Sequence, residues 1–72
     1  MKVQYDKEVD AAYIKLSNFK PTGVVEIIEG LHIDTTDDGK IVGIEILNVS
    51  KKFPVENLFK YEIDNEIYSI RK

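Results

Sequence analysis

The stretch Asp37–Leu47, DDGKIVGIEIL, decides the fold that this sequence predicts. Asp38-Gly39 stands between two alternating apolar runs, which is the strongest short-range signal for a β-hairpin with a two-residue type I′ turn. Such a turn fixes which residues lie opposite each other, and directly opposed residues share a face of the sheet. The predicted core face therefore carries four aliphatic residues from the two strands: Leu31, Ile33, Ile44 and Ile46.

The same register predicts a second face on which His32 lies opposite Glu45 and Asp34 lies opposite Gly43. A glycine inside a strand is typical of a bulge or of a place where another group approaches the backbone closely. We therefore ask what lies above Gly43. The predicted interface or site face has eight members: Val25, Ile27, His32, Asp34, Ile41, Gly43, Glu45 and Leu47.

Short runs between turn signals along the whole chain favour an antiparallel meander. The predicted strands are Lys2–Tyr5, Ala11–Ser17, Val24–Ile28, Leu31–Thr36 and Lys40–Val49. Apolar residues at Val55, Leu58 and Phe59 after Pro54 predict a short helix from Pro54 to Phe59. After a turn at Asp64-Asn65, Glu66 to Ile70 is a candidate last strand. We predict a single α+β domain over residues 1–72, a β-meander of about five strands, or six, with one short helix packed on it.

The small size of the chain limits its stability. A domain of 72 residues buries only about 60% of its unfolded surface, and such a core rarely supplies more than roughly 3–5 kcal/mol. There is no cysteine, so the fold has no disulfide and no thiolate metal ligand. Self-association is one way to make up the difference, and we expect a homodimer.

Charge and hydropathy restrict the classes of partner. Residues 21–50 contain six acidic groups and one lysine, a balance that repels phosphates and argues against nucleic-acid binding. No apolar run reaches the length that spans a bilayer, and the charged N-terminus does not fit a signal peptide. We expect a cytoplasmic protein that does not bind membranes.

His32 beside Glu45 could form an acid–base couple, because a carboxylate orients the imidazole ring and favours its charged form. The register places no serine or cysteine nucleophile nearby, so we favour a cross-strand ion pair and assign no catalytic residue. Asp34, Asp37 and Asp38 do not have the spacing of an EF-hand loop, and a solvated hairpin tip explains them. We predict no metal and no cofactor.

Four segments together resemble a family of short prokaryotic proteins, domain of unknown function 2283: Tyr5-Asp6, Asp10–Ile14, Gly30–Asp34 and Asp38–Leu47. The resemblance covers about residues 3–53, and the last segment is its most specific part. It implies a bacterial or archaeal cytoplasmic protein without an established activity. Some members resemble partners of small toxin-like proteins, which implies an antitoxin-type binding role. His32 replaces the aliphatic residue expected of the family, which argues against a family-wide catalytic histidine.

The sequence thus favours a protein–protein interaction module over an enzyme. The module is expected to dimerise and to bind a small, toxin-like protein through the second sheet face or a sheet edge. The alternative is a small enzyme or ligand-binding protein that uses His32, Asp34 and Glu45. It predicts a concave pocket above Gly43.

Overall fold

The structure is a computed structural model that describes residues 1–64, and its architecture is one antiparallel sheet of five strands. The strands are β1 (Lys2–Asp6), β2 (Ala11–Lys15), β3 (Gly23–Ile28), β4 (Leu31–Thr35) and β5 (Ile41–Leu47). All five lie within two residues of the predicted bounds, and the largest differences are at the C-terminal ends of β2 and β5, which are two residues shorter than predicted.

The strand order is β1-β2-β5-β4-β3, which corrects the predicted meander. β2 pairs with β5, so Ala12 lies opposite Ile46 and Ile14 opposite Ile44. The chain leaves β2, crosses to the far edge of the sheet, and returns through β3 and β4 to β5. Turn residues determine the pairing of strands that are adjacent in sequence. The pairing of β2 with β5 instead brings the apolar residues of both strands onto one buried face.

The β4–β5 hairpin has the predicted register between Leu31–Asp34 and Gly43–Ile46, but its loop differs from the predicted one. Asp34 lies opposite Gly43 and Ile33 opposite Ile44, as predicted. Thr36 N–H bonds to Lys40 O at 2.9 Å and Gly39 N–H to Thr36 O at 3.1 Å, so the loop has three residues. Gly39 has positive φ and Asp38 does not, which excludes a type I′ turn. An irregularity between Asp34 and Thr35 restores the register.

The core lies on one face of the sheet and is closed by the chain that follows β5. Val49 is fully buried, at 0% exposure, in a short 3₁₀ helix at Val49–Lys51. It packs with Ala12 of β2 and Ile46 of β5. Seven partly buried residues surround this cluster: Tyr5, Ile14, Leu31, Ile44, Phe53, Val55 and Leu58. We call this side of the sheet the core face.

The predicted helix is a second 3₁₀ helix, Val55–Phe59, whose N-cap Pro54 is extended. Val55 and Leu58 do point toward the core, but α-helices this short are marginal because nucleation costs more than so few hydrogen bonds return. Within residues 1–64 there is no α-helix, so the architecture is mostly β rather than α+β. No helix in that range is long and apolar enough to cross a membrane. The predicted strand at Glu66 to Ile70 lies outside the described residues, as does Asn65 of the turn predicted before it.

Candidate functional site

The second face of the sheet carries a row of polar side chains that crosses all five strands. Successive register pairs place Gln4, Tyr13, Glu45, His32 and Glu26 side by side, from β1 to β3. The neighbouring row contains Gly43 and Asp34. We call the side chains at the centre of this side the polar face: Tyr13, Glu26, His32, Asp34, Gly43 and Glu45.

Tyr13 fills the space above Gly43. A β-carbon at Gly43 would lie 2.3 Å from the Tyr13 hydroxyl oxygen, 2.5 Å from its Cζ and 2.8 Å from the Ile14 carbonyl oxygen. The hydroxyl donates to Asp34 Oδ2 at 3.0 Å. The pKa of Tyr13 is raised mainly by burial of the phenol and, to a smaller extent, by the hydrogen bond to Asp34. Only glycine leaves room for the ring, so the ring occupies the place where the ligand-binding alternative predicted a pocket.

His32 lies between two carboxylates from the strands on either side. Its Nε2 is 3.5 Å from Glu26 Oε2, and its Nδ1 is 3.5 Å from Glu45 Oε1. The imidazole side chain is 24% exposed, whereas both glutamates are about half exposed. Nδ1 is shielded from solvent and forms no hydrogen bond within residues 1–64. The two nitrogens face different carboxylates, so the three side chains do not converge on one point, and no cluster in that range suits a metal ion.

The structure brings together His32, Asp34, Gly43 and Glu45, but it places Val25 elsewhere. Val25 lies opposite Ile33, on the core face, and Glu26 takes the place beside His32. The cause is a bulge between Glu26 and Ile28, because a shift of one residue turns each side chain to the other face. The assignment of Val25 to the polar side is therefore wrong.

Ile27 and Leu47 lie at the margins of the predicted face, whereas Ile41 does not belong to it. Ile27 is the residue that the bulge leaves without a partner in β4, and it is 53% exposed. Ile41 lies opposite Thr35, which shares a face with Ile33, so the irregularity between Asp34 and Thr35 turns it to the core side, and its predicted assignment is also wrong. Leu47 lies opposite Ala11 and is half-buried.

Two members of the polar face, Tyr13 and Glu26, were missing from the predicted site. Alternation in β2 does place Tyr13 away from Ala12 and Ile14, but its position over Gly43 requires the pairing of β2 with β5. Glu26 could be found only by locating the bulge. The available signal was Gly43 itself, since a buried glycine in a strand indicates that a bulky neighbour lies above it.

A second polar cluster joins the β1–β2 turn to the chain after β5. Asp10, at φ 56°, accepts the Tyr5 hydroxyl at 2.8 Å and the Ser50 hydroxyl at 2.7 Å. The Ser50 N–H also bonds to this carboxylate, at 3.1 and 3.2 Å. The bonds from Ser50, and then the bond from Tyr5, lower the pKa of Asp10. This group, which we call the Asp10 clamp, holds the segment that buries Val49.

The acidic residues at the tip of the β4–β5 loop have local partners. Asp37 accepts the Thr22 hydroxyl at 2.7 Å. Asp38 accepts the Lys40 ammonium at 2.7 Å and the Thr36 hydroxyl. The Lys40 bond in particular lowers the pKa of Asp38. These two carboxylates stabilise the loop, which agrees with the interpretation of a solvated hairpin tip for Asp37 and Asp38. That interpretation is wrong for Asp34, which lies in β4 and accepts the Tyr13 hydroxyl.

The His32–Glu45 contact is expected to contribute little to stability. Replacing both residues with alanine should lower the free energy of unfolding by less than about 1 kcal/mol, because exposed cross-strand pairs contribute only a few tenths. Urea unfolding followed by circular dichroism measures this. Glu8→Ala, an exposed carboxylate in the β1–β2 turn, is the control for the loss of a negative charge. A loss of several kcal/mol would show that the pair does more than bridge two strands.

Comparison with known proteins identifies a family and a similar sequence, both without a known function. The profile of a family described as "Protein of unknown function (DUF2283)" matches residues 2–50. The chain is also similar to "Uncharacterized protein MJ0789" from Methanocaldococcus jannaschii, with 34% identity over 73 aligned positions. That alignment covers 93% of this chain and 62% of the relative, so the chain spans less than two thirds of the relative's length. No solved structure matches the chain.

Proposed function

The chain belongs to the DUF2283 family of proteins of unknown function, and we propose that it is a cytoplasmic protein–protein interaction module. In this proposal it forms a homodimer and binds a small, toxin-like protein. The partner class rests on the resemblance of some family members to partners of such proteins. The surface that supports the proposal is strand β3.

The observation that carries the proposal is the exposure of β3. All six of its residues are exposed, and four of them are large aliphatic side chains with exposures of 49–61%: Val24, Val25, Ile27 and Ile28. Single exposed hydrophobic residues are normal on protein surfaces. A contiguous apolar strand is typical of a surface that another protein covers.

The position of β3 at the edge of the sheet adds to this argument. Among the strands of residues 1–64, β3 pairs with β4 alone, so its other side presents backbone N–H and C=O groups without a strand partner in that range. Natural edge strands are often protected by lysine, proline or a β-bulge. β3 contains no lysine or proline, and its bulge lies near its C-terminal end, between Glu26 and Ile28. Its one charged residue, Glu26, lies beside His32 on the polar face. The regular apolar stretch before the bulge therefore favours pairing with another chain.

The alternative function, a small enzyme or ligand-binding protein on the polar face, has less support. Tyr13 occupies the space above Gly43, and both nitrogens of His32 face carboxylates. No observation on that face identifies a substrate. The interaction proposal is therefore the one that the geometry supports best.

Light scattering at micromolar concentration tests the dimer, and we expect a mass twice that of the 8.3 kDa chain. Val25→Lys should reduce the mass to that of the monomer, because a charge in the apolar edge must be desolvated on association. Val9→Lys is the matched control, since Val9 is 66% exposed and lies in the β1–β2 turn.

A monomeric wild-type chain at this concentration would contradict the dimer. If Val25→Lys and Val9→Lys changed the mass equally, β3 would not be the dimer interface. The toxin-like partner is tested by affinity purification from the native host. We expect a small protein to co-purify with the wild-type chain and not with Val25→Lys.

A further inference from the structure

We propose that β3 of one copy pairs antiparallel with β3 of a second copy, about a two-fold axis at Val25, so that the five-stranded sheets formed by residues 1–64 of the two copies join into one. This inference rests on the proposed homodimer and specifies its interface. The occupant of the free edge is then a second copy of this chain.

Symmetry restricts the register to a few choices. When a two-fold axis perpendicular to the sheet relates two antiparallel strands, one residue must lie opposite its own copy, because opposed residues share a face. The bulge after Glu26 leaves Gly23–Glu26 as the regular part of β3. The axis can therefore pass beside Val24, Val25 or Glu26.

The charge of Glu26 distinguishes among these registers. An axis at Glu26 would place two carboxylates directly opposite each other, which is destabilising. An axis at Val25 places each Glu26 opposite Val24 of the second copy and leaves it beside His32, 3.5 Å away. An axis at Val24 would shorten the paired stretch. The aliphatic residues at the C-terminal end of one β3 would then lie beyond the first residue of the other β3 and would have no strand partner there.

The register at Val25 also makes the ends of the two strands complementary in charge. Glu29 follows β3, and Lys20 precedes it in the chain. In this register Glu29 of each copy comes within about two residues of Lys20 of the other, a distance that a lysine side chain can span. Neither residue forms an ion pair within the described part of the chain. The dimer would thus gain two symmetric ion pairs.

The same register continues the core face across the interface. Val25 lies opposite Ile33 on the core face of its own sheet, so the two copies of Val25 would extend that apolar surface from one sheet to the other. The axis at Val25 therefore combines favourable charge contacts with apolar burial.

Cysteine cross-linking tests the axis directly, because the chain contains no natural cysteine. Val25→Cys should form a covalent dimer in high yield under mild oxidation or with a short bismaleimide. Ile41→Cys is the matched control, since Ile41 is 47% exposed against 49% for Val25 and lies on the interior strand β5. Circular dichroism melting verifies that both variants are folded, and light scattering gives their mass before cross-linking.

Each outcome has a distinct meaning. A dimeric mass with cross-linking only at Val25→Cys supports the axis. A dimeric mass without that preference overturns the β3 interface and leaves the homodimer standing. A monomeric mass for wild type and both variants overturns the dimer itself.

A charge exchange tests the ends of the interface. Glu29→Lys or Lys20→Glu alone should raise the dimer dissociation constant about three- to tenfold, since each change removes two exposed ion pairs. The double variant Lys20→Glu/Glu29→Lys should return it to the wild-type value. If the double variant is no tighter than the single variants, the two residues do not meet across the axis.

Discussion

Replacing Gly43 with alanine is expected to lower the free energy of unfolding by about 3 kcal/mol, at the upper end of the effects of overpacking. The added β-carbon would lie 2.3 Å from the Tyr13 hydroxyl oxygen and 2.8 Å from the Ile14 carbonyl oxygen. The ring can move, but the carbonyl belongs to the backbone of β2. Since a core of this size supplies roughly 3–5 kcal/mol, much of the variant should be unfolded at 37 °C.

Urea unfolding of Gly43→Ala and Gly23→Ala measures this effect against a matched control. A β-carbon at Gly23 meets only the Thr35 hydroxyl, at 3.6 Å, so its variant should stay within about 0.5 kcal/mol of wild type. Adding Tyr13→Ala to Gly43→Ala removes the nearer clash, and the two changes should cost less together than their sum. Equal stability of the two alanine variants would contradict the packing of Tyr13 on Gly43.

Asp10→Ala is the second change with a large expected effect. It removes the acceptor of bonds from the Tyr5 hydroxyl and from both the N–H and hydroxyl of Ser50. It also puts alanine at a positive φ, which disfavours residues other than glycine, asparagine and aspartate. The melting temperature should fall by several degrees. Asp10→Asn, which keeps the local acceptor and tolerates this φ, should lie between wild type and Asp10→Ala.

Asp6→Ala is the control for this series, because within residues 1–64 the Asp6 carboxylate accepts just one hydrogen bond, from the Glu8 N–H of the same turn. Its melting temperature should stay near that of wild type. If Asp6→Ala and Asp10→Ala were equally destabilised, the bonds to Ser50 would not hold the segment after β5.

The clamp also predicts how stability depends on pH. The bonds from Ser50 and Tyr5 lower the pKa of Asp10 in the folded chain, so the unfolded chain binds its proton more readily. The contribution of Asp10 is then present above its unfolded pKa, about 3.9, and is lost as the pH falls through the lower folded pKa. The difference in melting temperature between wild type and Asp10→Asn should therefore shrink below pH 4.

Local signals in the sequence predicted the strands and the central register. Alternation placed Leu31, Ile33, Ile44 and Ile46 on one face, and the structure confirms their pairing. The loop type was wrong, yet the pairing of Asp34 with Gly43 survived because an irregularity in the ladder offsets the extra loop residue. Apolar alternation determines which face is buried, and the length and type of the turn vary without changing that face.

The missed features depend on contacts between distant parts of the chain or on single irregular residues. The pairing of β2 with β5 joins segments about thirty residues apart, so no turn signal reports it, and Tyr13 was not placed over Gly43 for that reason. The bulge in β3 reversed Val25 and Glu26. The 3₁₀ helix at Val55–Phe59 kept the predicted apolar positions without the predicted helix type. Periodicity shows which residues are buried but not how the backbone places them there.

The strand order has a consequence for how the chain reaches its native state. β1 with β2, and β3 with β4 and β5, are two units made of neighbours in sequence, and within residues 1–64 the pairing of β2 with β5 joins their strands into one sheet. Each unit closes short loops, whereas this pairing closes the longest loop in the sheet and costs the most chain entropy. We therefore expect it to form last. The Asp10 clamp connects the two units through Ser50, so we expect its bonds to slow the separation of the two units as well as to stabilise the folded chain.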